Sequence, residues 1–171
     1  MNRTIIVLWV LAINACATVI PANWNDTSGG SIGGVPFSIT GLSSPFLGIE
    51  VRSYLSPDFL AAPLANVQAI AYGSGNDWTV TFGTALTDLF IYVDLWRGPY
   101  TSPGPDPTTN YDFSKPFQIL SGMSGAGVTG NTLSLPFGPF YNGILLFSGP
   151  ITSLSVVSSG GPQGLRDRAR S

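Results

Sequence analysis

Short runs of β-branched and aromatic residues, each closed by a glycine, proline or asparagine, recur along most of this chain. That rhythm predicts antiparallel strands joined by tight turns. It is densest between Tyr111 and Ser158, which read YDFSKPFQILSG, GNTLSLPF and NGILLFSGPITSLSVVSS. Strands are predicted at Phe117 to Leu120, Thr132 to Leu135, Ile144 to Phe147 and Ile151 to Val157. Ser-Gly, Gly-Asn, Asn-Gly and Gly-Pro dipeptides turn the chain between them. Upstream, VPFSIT from Val35 opens the series, and LGIEVRSYL, NVQAIAY, DWTVTF and DLFIYVDLW continue it, the last two parted by Gly-Thr-Ala-Leu-Thr.

Two of these strands carry a face assignment. In LGIEVRSYL, Ile49, Val51, Ser53 and Leu55 alternate with Glu50, Arg52 and Tyr54, so the second set is predicted to face water with Glu50 and Arg52 side by side. In DLFIYVDLW, Leu89, Ile91, Val93 and Leu95 share one face and Phe90, Tyr92, Asp94 and Trp96 the other. Such a strand is expected at the centre, covered on most of both faces. Pro57 to Pro63 reads as one helical turn. The total is about eight or nine strands, the makings of a single antiparallel β-sandwich or jelly-roll-like domain over residues 35–159.

The flanks differ from this body. Residues 1–22 have a basic start, an apolar run from Ile5 to Ile13 and small residues after it, the layout of an export leader cleaved after Ala17 or Ala22. Cys16 stands where a bacterial lipoprotein carries its lipidated residue, although Asn14 departs from that pattern. A retained segment would instead make Ile5 to Ile13 a buried β-strand or a strand lent to a neighbouring subunit. Residues 23–34 read as a polar linker, and Asn25-Asp26-Thr27 satisfies a glycosylation sequon. Gly98 to Asn110, with four prolines in ten residues, reads as an exposed, stiffened loop. Residues 160–171 read as a basic, disordered tail.

Composition narrows the function. The 171 residues are 44% hydrophobic, enough for one core, yet only 9% are charged, against ~25% in an ordinary soluble domain. The net charge is −2, and four of the cations (Arg3, Arg166, Arg168, Arg170) sit at the ends, so nucleic acid is not an expected partner. Histidine is absent, which excludes serine-histidine and cysteine-histidine nucleophile systems. Lys115 has no serine-lysine motif around it. Gly73-Ser74-Gly75 and Gly125-Ala126-Gly127 precede no lysine-bearing helix and read as turns. Glu50 and Asp94 are the carboxylate pair a glycosidase would need, but no enzyme is expected. Two binding readings remain. Asp106 and Asp112 with nearby carbonyls are candidate calcium ligands, and Trp96, Tyr100 and Tyr111 bracket the proline-rich loop as candidate stacking rings for a polysaccharide.

The closing pattern YDFSKPFQILSG, GNTLSLPF, NGILLFSGPITSLSVVSS resembles the last strands of secreted bacterial β-sandwich domains, including the ectodomains of sorted surface proteins of the PEP-CTERM type. The resemblance implies an exported, surface-associated sandwich and no catalytic residue. No Pro-Glu-Pro motif, apolar helix or basic stop follows Gly160, so anchoring by that route is not expected. The expectation is a non-catalytic structural or adhesive protein, secreted or at the cell surface. It would meet a polysaccharide or other copies of itself, and a membrane only through an uncleaved or lipidated N-terminus. A carbohydrate-binding module is the alternative, followed by a viral coat-type jelly roll or filament subunit.

Overall fold

The computed structural model describes residues 19–42, 47–61, 63–71, 77–97, 108–136 and 140–160. They form β1 (Ala22–Asp26), β2 (Gly29–Ile32), β3 (Val35–Thr40), β4 (Gly48–Tyr54), a 3-10 turn (Pro57–Phe59), β5 (Leu64–Ala71), β6 (Trp78–Arg97), β7 (Thr108–Phe113), β8 (Gln118–Gly122), β9 (Gly127–Thr129), β10 (Thr132–Pro136) and β11 (Phe140–Gly160). Nine strands make one antiparallel sheet in the order β1-β2-β3-β6-β11-β7-β10-β9, with β8 also on β11. β4 and β5 pair separately. The fold is all-β, antiparallel and sandwich-like, as the strand and turn pattern predicts.

The β6–β11 pair is the spine. Its register runs from Phe140 opposite Arg97 to Val156 opposite Trp78, with slips on both sides of Ile151. The Gly-Thr-Ala-Leu-Thr stretch, expected as a loop, is extended inside β6, and Gly149-Pro150, expected as a turn, lies inside β11. Gly149 takes φ +93°, so the chain bulges and bends where a side-chain-bearing residue would be strained. Each half of the spine recruits different neighbours. β8 flanks β11 from Gly143 to Leu146, and β7 flanks it from Val156 to Gly160. β3 flanks β6 from Thr79 to Phe82.

Residues 23–34 are not a linker. They supply β1 and β2, paired from Ala22 opposite Ile32 to Asp26 opposite Gly29. Asp26 Oδ1 accepts hydrogen bonds from Ser28 N at 2.7 Å and Ser28 Oγ at 2.6 Å, which closes the turn. Those bonds hold the Asp26 carboxyl below its usual range. Trp24 meets Phe37 edge-on at 4.9 Å. The glycines misled here. A Cβ on Gly30 would collide with the Asn23 carbonyl, so that glycine permits close pairing of strands and is not a sign of a tether. This hairpin, the short β9 and β7, which takes Thr108 to Asn110 out of the expected exposed loop and buries Thr109, bring the strands among the described residues to eleven, above the expected number even after two pairs of expected strands have merged.

The main core is a cluster drawn chiefly from β3, β6, β7, β10 and β11. Leu133, Leu135, Leu145, Phe147 and Leu154 are wholly buried. β6 contributes Leu89 and Val93 to it, while Ile91 is only half-buried against it. The deepest positions therefore belong to β10 and β11, not to the strand expected at the centre. The prediction of two covered faces holds, because Phe90 and Tyr92 on the reverse of β6 pack beneath a second, smaller cluster. Residues 1–18, 98–107 and 161–171 lie outside the described residues, and with them most of the expected leader, Cys16, most of the proline-rich loop and all but the first residue of the tail.

Candidate contact surface

The second cluster is roofed by the β4–β5 hairpin, and its geometry reverses the face assigned to β4. Tyr54 is buried, its ring 5.0 Å from Phe59 and 5.1 Å from Tyr92. Ile144 lies wholly buried below, with Leu64, Val67 and Ala69 around them. The 3-10 turn that carries Phe59 is tied to β11 by Asn142 Nδ2 donating to Asp58 Oδ2 at 3.4 Å. Ring size decides the orientation. An aromatic side chain buries about 150–250 Å², on the order of 4–6 kcal/mol at ~25 cal/mol per Å². A valine gains roughly 1.5–3 kcal/mol. Glu50 and Arg52 share the Tyr54 face at low cost, because long side chains can cover apolar surface while their charged ends stay wet.

Glu50 and Arg52 do lie side by side, and the fold brings Asp94 to them. Arg52 Nη2 is 2.5 Å from Glu50 Oε2 and Arg52 Nη1 is 3.8 Å from Asp94 Oδ2. The candidate carboxylate pair thus meets on one guanidinium, which bridges β4 to β6. Partly exposed, such a bridge contributes about 0–1 kcal/mol and serves to hold the hairpin down.

The opposite face of β4 is what alternation alone misplaced. Ile49 pairs with Ile70 and Val51 with Gln68. Val51 is 68% exposed, Leu55 60% and Leu60, just after the 3-10 turn, 73%. Sequence carried one signal for this: a large aromatic at position 54 on the face that also holds the charges. β5 is guarded on its own side, where Gln68 Oε1 accepts from Trp24 N of β1 at 2.6 Å. Among the described residues no strand pairs with the other edge of β4.

The remaining candidates separate. Tyr111 is 5% exposed within the main core, so its ring is closed to a sugar, and this corrects its place in the stacking set. Trp96 lies in β6 opposite Tyr141, but its ring, like the whole of Tyr100, falls outside the described residues. Asp112 is exposed and accepts from Thr132 Oγ1 across the β7–β10 pair. Asp106 lies outside the described residues, and among those described no three His, Cys, Asp or Glu residues gather as metal ligands. Comparison with protein-family models, curated proteins and solved structures gives no match.

Burial pushes the Tyr111 and Tyr92 hydroxyls up to about 12 and raises Tyr54 as well, where the Asp94 charge adds to burial. A raised phenol favours the neutral form in the fold. Its stabilisation is complete below the unfolded value of 10.0 and is lost as pH rises from there through about 12. Tyr111 alone is expected to account for on the order of 2–3 kcal/mol, and the more exposed Tyr92 for less. Stability measured by denaturation should stay level through neutral pH and fall across that alkaline window. Phenolate absorbance should rise with it. Tyr111→Phe should flatten part of the fall.

Proposed function

We propose that this chain is a non-catalytic structural or adhesive protein of the cell exterior, acting by contact through the outer face of β4–β5. The observation that carries this reading is the exposure of Val51, Leu55 and Leu60 on a hairpin whose other face is firmly packed. Large apolar side chains left exposed along one short stretch of chain support an interaction site there. The low charge of the chain and its leader-like first residues support an extracellular setting. A carbohydrate-binding role would have to do without Tyr111.

Adhesion gives the direct test. Retention of the protein on an apolar or polysaccharide-coated surface is expected to fall by roughly tenfold in Val51→Asp/Leu55→Asp, while the thermal midpoint moves by no more than a few degrees, about what exposed sites allow. Retention unchanged in that double variant would contradict the assignment.

A further inference from the structure

We propose that β4 is the self-pairing edge of a two-fold homodimer, with β4 of one copy running antiparallel to β4 of a second and joining two two-stranded sheets into one of four strands. The inference rests on reading this hairpin as a contact surface and names its partner. An isolated two-stranded sheet is marginal, and an unpaired edge presents donors and acceptors to any strand that fits. Among the described residues β4 has such an edge.

The sequence of β4 selects the register. A two-fold axis normal to the sheet keeps each side chain on its own face, so it must pass through a residue. Centred on Glu50 or on Arg52, it would set like charges opposite each other, which is destabilising. Centred on Val51, it sets Glu50 against Arg52 of the second copy, twice, and Val51 against Val51 of the second copy. Both charged side chains are accessible for this, at 47% and 40% exposure, and Asp94 remains on Arg52 within each copy. Charges on an edge strand ordinarily discourage pairing. Opposite charges two residues apart instead admit one antiparallel register and penalise its neighbours. That register also covers Val51, one of the most exposed apolar residues, in the self-complementary manner a two-fold interface requires. The other occupant that the edge could take is the apolar run Ile5 to Ile13, which would need no such charge match.

The pairing is short beside a standard interface of ~1,600 Å², so the test traps it covalently. In the full chain carrying Cys16→Ser, Val51→Cys places its thiol on the axis, where facing Cα atoms lie about 4.5–5.5 Å apart, within disulfide reach. Mild oxidation should cross-link it roughly tenfold or more faster than Leu60→Cys, which is exposed but off the axis. Adding Glu50→Arg, or separately Arg52→Glu, should suppress cross-linking because like charges then face each other. Mixing those two charge variants should restore it as a heterodimer, read by mass. Changed ion pairs within one chain would not produce that selectivity.

Cross-linking no faster than Leu60→Cys, or a statistical mixture of homodimers and heterodimers, overturns the proposal. So does a Val51→Cys thiol that is protected and uncrosslinked in the full chain but reactive once residues 1–18 are removed, which would give the edge to the N-terminal run. A chain that adheres to surfaces without cross-linking refutes the dimer and leaves the contact reading standing. One that forms the selective heterodimer without adhering supports the dimer and refutes adhesion.

Discussion

Phe147→Ala is expected to lower the free energy of unfolding by about 3–5 kcal/mol. The side chain is wholly buried in β11, with its ring 5.1 Å from Phe113 and 5.7 Å from Phe117, which themselves stand 4.9 Å apart. Phe147 lies opposite Leu89 of β6, beside the segment of β11 that receives β8. Removing the ring takes away transfer energy and leaves a cavity bounded by two other rings that cannot both close it. A domain of this size holds about 5–15 kcal/mol in all, so the loss would be a large share of its stability. Val157→Ala supplies the contrast on the same strand. Its side chain is 51% exposed, and its cost should stay within about 0.5 kcal/mol. Chemical denaturation of the two variants measures both. A loss below ~1 kcal/mol at Phe147 would mean that the three rings are not the packed centre of the sheet.

The fold class was legible because turn dipeptides and period-two alternation are local signals, and the large sheet obeys them along β3 and β10. Whether two adjacent runs are separate strands or one was not legible. Gly149-Pro150 has the composition of a turn, and only the partner strand β6 makes it a bulge within a single long strand. Likewise Gly29 and Gly30 resemble a tether until Phe37 and Trp24 are brought alongside them. At the contact surface, sequence correctly set Glu50 beside Arg52. It missed which way β4 faces, because alternation weighs every apolar residue alike. In the fold, Tyr54 joins Phe59 and Tyr92, residues separate in sequence, and that long-range ring cluster outweighs Ile49 and Val51.

That reversal underlies the proposed function, and the thermal stability of two variants tests it most directly, at dilution sufficient to keep the chain monomeric. Tyr54→Ser should cost about 3–5 kcal/mol, since it empties the space between Phe59 and Tyr92 over Ile144, and the thermal midpoint should drop by many degrees. Val51→Ser should stay within about 0.5 kcal/mol of the wild type, as for other exposed positions. The opposite order, with Val51→Ser strongly destabilising and Tyr54→Ser nearly silent, would turn the aliphatic face of β4 inward and remove the apolar contact surface.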